Sequence, residues 1–403
     1  MNSQDTAVLL FCVAMATAIA VRRLRVPHAV ALVVVGLTLG SFGLVAPPTL
    51  TKELLFVFFL PGLLFESAFH LDFDAFGAVW GSAVALAIPG VVAGIGITAV
   101  LVGVVMPLVA PGAGIDWRFG LLFAALVAAT DPVAVTAVFR EVRAPERLTA
   151  LIETESLFND GTGIVFLTFV LSVVAGVRPS VIGLSAQFVA VTGGGVVVGL
   201  GVGFITAEAI KRVEDAMIEI ALTTIAAYGA FVLAEQFLVS GVLATVVAGM
   251  VCAKRGRDMG MSAASRVATE NFWRYVAFAL NSVVFLLIGF QVHVSVLLAD
   301  WREIFVGAGA MLAARIVIVG VLRAALRPAS RMPRSWSAAL AWGGLRGALS
   351  MVLALSIPSS IPNRDLLITV TVGAVVLSLI VQGLTMPYLI DRLGIGRLRK
   401  ASV

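Results

Sequence analysis

The chain has 403 residues, of which 60% are hydrophobic and only 13% charged, with a mean hydropathy of +1.06. Such a composition excludes a soluble globular domain, and no polar stretch is long enough to form one by itself. The net charge of +5 and a pI near 9.7 would suit a nucleic-acid binder only if the basic residues formed a patch. They stand instead at the ends of apolar runs, where a membrane explains them.

The first apolar run, Ala7 to Val21, has the length of a signal-peptide core, but its positive cluster, Arg22, Arg23 and Arg25, follows it rather than precedes it. This marks a retained first helix. About thirteen spans follow in all, at 6–21, 28–46, 52–70, 76–108, 117–139, 147–176, 182–210, 214–235, 239–253, 268–291, 303–325, 335–358 and 366–390. The interval from Ala75 to Ile115 carries no charge, and Pro89-Gly90 could divide it in two. Loop charges decide against division. Kept as one span, it gathers Arg22, Arg23, Arg25, Arg140, Arg143, Arg147, Lys211, Arg212, Lys254, Arg255, Arg257, Arg266, Arg323, Arg327, Arg331, Arg334 and the tail arginines on one side. The other side holds only Lys52, Arg118, Arg178, Arg302 and Arg364. The positive-inside rule then puts the N-terminus outside and the C-terminus in the cytoplasm. Cys12 and Cys252 lie far apart in apolar surroundings, which supports neither a disulfide framework nor a metal site.

Two spans carry features that break a helix inside the bilayer. In the fifth, Thr130-Asp131-Pro132 interrupts an apolar run. Asp before Pro is a helix start, with Asp as N-cap and Pro at the first helical position. A simple proline kink would not need an ionisable neighbour, so a broken helix is the better reading. In the twelfth, Gly343, Gly344 and Gly347 surround Leu345-Arg346. Glycines alone would signal close helix packing. The arginine points to unwound backbone, whose freed carbonyls a guanidinium can satisfy. The two spans run in opposite directions, which is the pattern of an inverted-repeat transporter with its site at the midplane. Spans one to six and eight to thirteen would be the repeats, joined by the seventh.

The sixth span holds Glu153-Thr-Glu155-Ser156-Leu-Phe-Asn159-Asp160. Ionisable groups at membrane depth are costly and default to ion or proton pathways. On a helix, Ser156 and Asp160 share one face, with Glu153 below Asp160 by ~10 Å toward the cytoplasm, while Glu155 and Asn159 share another. Arg346 is the cation beside a predicted break and the natural partner for Glu155, with Asn159 completing the hydrogen bonds. That pair reads as structural, because buried charges must be matched. Asp160 is left without a partner and is the functional candidate.

Taken together, these motifs resemble the Na+/H+ antiporters of the NhaP/NHE branch of the monovalent cation:proton antiporter superfamily. Asn281-Ser282 through Gly289, Leu64-Phe65-Glu66-Ser67 and Val239-Ser240-Gly241 also fit, so the resemblance covers nearly the whole chain. It implies an all-α polytopic fold with two broken crossing helices, and an ion site made by Asp160, Asp131, Ser156 and the Thr130 carbonyl. Glu66 would contribute through water, and Glu153 would stay peripheral. The resemblance also implies a homodimer in the lipid bilayer. Its static interface domain would comprise 1–75 and 214–291, its mobile core 76–176 and 302–391, its linker helix 182–210 and a short tail 392–403. Asn159 in place of a second Asp is the family's mark of electroneutral exchange. The long regulatory tail of the animal exchangers is expected to be absent or removed.

Blander readings suffice for the other polar residues. His28, His70 and His293 sit at span ends and read as interfacial. Arg274 reaches an interface, and Glu219 reads as a solvated helix end. Arg315, inside the eleventh span, snorkels or pairs with an acid that the sequence does not name. The expected function is exchange of Na+ or Li+ for H+ by alternating access in a bacterial or archaeal plasma membrane, with cation and proton competing for Asp160. K+/H+ exchange would use the same scaffold. A channel would want a ring of ligands from several subunits. Asp160-Gly161-Thr162-Gly163 has the outline of an aspartic-protease loop, but its paired Asp context is missing and there is no HExxH motif. The chain therefore reads as a transporter and not an enzyme. It calls for no cofactor besides the transported ions, no nucleic acid and no obligatory soluble partner.

Overall fold

In a computed structural model of the chain, the described residues are 3–21, 27–42, 54–176, 180–290, 294–330 and 333–396. Among them there are helices and no strand, since within lipid a helix satisfies every backbone group internally. Arg22, Arg23, Arg25, Lys52, Arg178, His293, Arg331 and the tail residues Arg397, Arg399 and Lys400 lie outside the described residues.

In chain order the helices are α1 (Ser3–Val21), α2 (His28–Ser41), α3 (Leu60–Phe69, entered through a π turn at Leu54–Phe59), α4 (Phe73–Ala85) and α5 (Val91–Val109). Next come α6 (Trp117–Leu126), α7 (Val133–Glu141), α8 (Glu146–Val174), α9 (Val181–Ile210), α10 (Ala216–Gln236) and α11 (Gly241–Val251, prolonged by a π turn at Cys252–Arg257). The last are α12 (Ala263–Phe290), α13 (Val294–Ala299), α14 (Trp301–Ser330), α15 (Arg334–Trp342), α16 (Ala348–Leu355) and α17 (Arg364–Arg392). Among the described residues, seven helices are long and apolar enough to cross a membrane, and four shorter apolar ones accompany them. Local sequence sets their starts. Asp116, Ser180, Asp215 and Ser240 each accept a backbone amide at the head of α6, α9, α10 and α11.

Pro89 does not divide its span. It sits in a π turn, Leu86–Gly90, and α4 and α5 continue through it as one 37-residue helix. At 1.5 Å per residue this helix is about 55 Å long, well beyond the hydrocarbon thickness. The two expected breaks are real interruptions. Span five is divided into α6 and α7, and span twelve into α15 and α16. The short α13 was not anticipated.

The chain packs as two units. The first comprises Met1–Thr49, Ala78–Val174 and Ser282–Val403, and holds both breaks and α8. Within it α2 meets the end of α12 at backbone contact. A Cβ on Gly289 would stand 2.6 Å from the Leu37 nitrogen and 2.8 Å from the Gly36 Cα, so only glycine allows that approach. His28 hydrogen-bonds Ser282 across the same contact at 3.0 Å.

The second unit comprises Leu50–Gly77 and Ala175–Asn281. Its core is Phe65, Phe69, Ala226, Ala227, Cys252, Ala253 and Trp273. The Phe65 and Trp273 rings lie 4.7 Å apart. Trp273 Nε1 donates to Thr223 Oγ1 at 3.1 Å, satisfying the indole in an apolar setting. Glu219 corrects an expectation. It is not a solvated helix end but fully buried, because α10 begins at Asp215 and Glu219 is already one turn inside, facing Ser265 of α12. The units are defined by packing, which assigns neither of them a role.

Candidate ion site

The site is built where the two broken helices meet in the first unit. After Leu126 the backbone leaves the helix and resumes it at Val133. Asp131 stands in the gap, its Oδ1 accepting the Val133 amide at 2.9 Å, so the side chain starts α7 as an N-cap would. Its own amide donates to the Leu345 carbonyl at 2.8 Å, and this bond joins one break to the other. Gly347 makes the approach possible. A Cβ there would stand 2.5 Å from the Asp131 Cβ and 2.6 Å from its Cγ.

α8 crosses beside this junction. Ser156 Oγ donates to the Thr130 carbonyl at 2.5 Å, and Asn159 Nδ2 donates to Thr130 Oγ1 at 3.1 Å. Thr162 Oγ1 donates to Ala87 O at 2.8 Å, fastening α8 to the π turn around Pro89. Thus Asp131, Thr130, Ser156, Asn159 and Asp160 are brought together. Asp160 has no hydrogen bond or ion pair among the described residues. The charges that act on it are Asp131 first and Glu155 second.

The Glu155–Arg346 pair expected from sequence is not formed. Glu155 is held by Arg315, whose Nη1 and Nη2 donate to its two oxygens at 2.5 and 2.6 Å, while Arg315 Nε donates to Leu340 O at 3.3 Å. Arg346 is engaged with backbone. Its Nη1 donates to Ala128 O at 2.8 Å and Ala129 O at 3.0 Å, carbonyls freed where α6 stops. Its amide donates to Ser378 Oγ of α17 at 3.3 Å. The division of labour has a physical cause. Freed carbonyls beside a break take the closest guanidinium, whereas an arginine midway along an unbroken apolar helix cannot reach water and must find a carboxylate. Mid-span depth was the signal in Arg315 that could have revealed its role. Asn159 likewise serves Thr130 rather than Arg346.

Behind the junction lies a cavity of about 30 Å³, lined by Glu155, Asn159, Arg315 and Arg346 together with apolar residues of α5 and α14. Asn159 Oδ1 and Arg346 Nε have no protein partner, and a polar cavity of this size suits a single water.

Two of the expected residues have partners of their own. Glu153 pairs with Arg140 at 3.2 Å, and both are partly exposed. Glu66 belongs to the second unit, where it pairs with His70 at 3.2 Å.

The chain is similar in sequence and in fold to known proteins. The family profile described as "Sodium/hydrogen exchanger, transmembrane" matches residues 8–392. The chain is 36% identical to the low-affinity Na+/H+ antiporter NhaS1 of Synechocystis, covering 92% of this chain and 70% of that protein. It is 34% identical to the Na+/H+ antiporter NhaP of Pseudomonas aeruginosa, covering 86% and 82%. Its fold matches that of the sodium proton antiporter MjNhaP1 of Methanocaldococcus jannaschii with a TM-score of 0.77 at 21% identity, over 96% of this chain and 97% of that one. An all-helical integral membrane protein with two broken helices crossing at an unpartnered carboxylate, this chain belongs to the transmembrane sodium/hydrogen exchanger family.

Proposed function

We propose that the chain exchanges Na+ or Li+ for H+ across the membrane, one for one and without net charge movement, by alternating access with competition at Asp160. One observation carries this reading. Around the junction two guanidinium groups, Arg315 and Arg346, face three carboxylates, Glu155, Asp131 and Asp160. With all five ionised, one negative charge remains, and a single monovalent cation or a single proton neutralises it. Oxygen ligands suit a small hard cation. The Thr130 carbonyl, the Ser156 hydroxyl and the two aspartates supply them. Asn159 beside Asp160 adds no further titrating group, in keeping with 1:1 exchange.

The proposal includes a homodimer in a bacterial or archaeal plasma membrane with a role in pH homeostasis, the N-terminus outside and the C-terminus cytoplasmic. The segments 76–176 and 302–391 would form the moving body, and residues from 1–75 and 214–291 the static one. K+/H+ exchange remains the second reading, because nothing in the ligand set selects by ion size.

The deciding experiment is reconstitution in liposomes with a pH dye, adding Na+, Li+ and K+ in turn to vesicles that hold a proton gradient. Saturable dissipation by Na+ and Li+, absent in Asp160→Asn, is expected. Dissipation by K+ alone would select the second reading. Flux in Asp160→Asn equal to wild type would remove Asp160 from the mechanism.

A further inference from the structure

The contact between α10 and α12 in the second unit buries a carboxylate that no cation among the described residues neutralises. Glu219 has no exposed surface, and neither of its oxygens closes a well-formed hydrogen bond. The Ser265 hydroxyl, itself buried, is close enough to interact with it from α12. One turn further along, Thr269 is fully buried and its hydroxyl has no partner. Ser265, Thr269 and Trp273 follow at i, i+4 and i+8, a single stripe on the helix. Both ends of that stripe meet α10, Ser265 at Glu219 and Trp273 at Thr223. Thr269 therefore lies between them, on the face of α12 that meets α10.

Charges on the neighbouring elements are engaged elsewhere. Asp215 caps the start of α10 through the amides of Met217 and Ile218, and adds a second negative charge near Glu219. Arg266 and Arg274 pair with Glu270 on α12, and Lys211 and Arg212 pair with Glu208 at the end of α9. Beyond α11, Arg257 holds Asp258 and the Phe69 carbonyl, while Lys254 and Arg255 lie over the Phe73 and Phe204 rings. On α3, His70 pairs with Glu66. A buried carboxylate without a counter-charge is unfavourable unless it takes up a positive ion.

We propose that Glu219, with the hydroxyls of Ser265 and Thr269, forms a second monovalent-cation site that takes a sodium ion or a proton and is built from the second unit alone. A carboxylate and two hydroxyls are hard oxygen ligands, matched to either. Glu219 stands one turn inside the start of α10, a short distance from the helix end. Occupancy would tie the start of α10 to the start of α12. The site does not depend on the function proposed for Asp160.

The test compares full-length Asp160→Asn with Asp160→Asn/Glu219→Gln, both purified in detergent, by thermal unfolding. Any response at the junction is common to the two, so their difference isolates Glu219. In the first arm, NaCl replaces choline chloride at pH 8.5. A sodium site gives a Tm rise of about 2–5 °C in the single variant that the double variant lacks. In the second arm, pH is raised from 5.5 to 9 without sodium. A proton-holding Glu219 loses its stabilisation as it ionises, so Tm falls more steeply with pH in the single variant than in the double one. Either result supports the site and names the ion. Should Glu219→Gln fail to fold, Ser265→Ala/Thr269→Val in the Asp160→Asn background keeps the carboxylate and is expected to weaken the sodium or pH response several-fold. Identical sodium and pH responses with and without the Glu219 site would overturn the proposal.

Discussion

Glu155 and Asp160 lie on the same long helix, α8, within two turns of each other, yet their surroundings differ completely. Glu155 is 1% exposed and gripped by both terminal nitrogens of Arg315. Asp160 has no such partner and stands beside Asp131. The contrast teaches that burial alone does not identify a working carboxylate. A charge that the fold has already neutralised is part of the frame, whereas one left open is available to an ion. Removing the frame charge should therefore damage the protein, and removing the open one should damage only transport.

The largest effect is expected from Asp160→Asn. It should reduce Na+-driven proton flux in liposomes by at least ~100-fold, or roughly 3 kcal/mol in transition-state terms. Its Tm should stay within a few degrees of wild type, because no partner is orphaned. A large fall in Tm would mean that Asp160 belongs to the frame after all.

Next in size is the Glu155–Arg315 pair. Either Glu155→Ala or Arg315→Ala should cost about 3–5 kcal/mol in unfolding free energy, since each leaves the other charge buried and unpaired. The double variant should lose clearly less than the sum of the two. Additivity in that cycle, read from thermal or chemical unfolding, would show that the two residues do not act as a pair.

A smaller loss follows from Arg346→Ala, which abandons the carbonyls of Ala128 and Ala129. Hydrogen bonds to a charged donor contribute about 1.5–3 kcal/mol, so destabilisation of that order is expected, together with reduced transport because Thr130 and Asp131 follow directly. Arg346→Lys should recover part of the stability. Equal loss in both variants would mean that packing of the arginine, rather than its donors, matters.

The smallest effect is expected at Thr162. Thr162→Val keeps the shape and deletes the bond to Ala87 O, at about 1 kcal/mol. An unchanged Tm would show that the π turn around Pro89 is held by other contacts.

Much of the site was legible because charge inside an apolar run stands out whatever its surroundings. Asp131-Pro132, Arg346 among its glycines, and Asn159-Asp160 all announced themselves in this way, and the structure brings them to one junction. The pairing was not legible. Whether Glu155 meets Arg346 or Arg315 depends on how α14 is rotated, and no spacing within α8 encodes that. Glu219 shows the same limit, since its distance from the helix start suggested solvent and only the packing of α12 removed it. For Pro89 the loop charges argued for one undivided span, and the helix is continuous there, while the π turn that absorbs the proline is a local backbone adjustment with no signature of its own.

The approach of Asp131 to Gly347 has a consequence for how this sequence can change. The two residues stand in different breaks, more than two hundred positions apart along the chain, and share one volume. A longer acid at 131 needs space that the glycine's missing side chain now provides, and any side chain at 347 needs the aspartate to withdraw. Neither position can vary alone, so the pair should be inherited as a unit, with substitutions at one tolerated only where the other has already yielded.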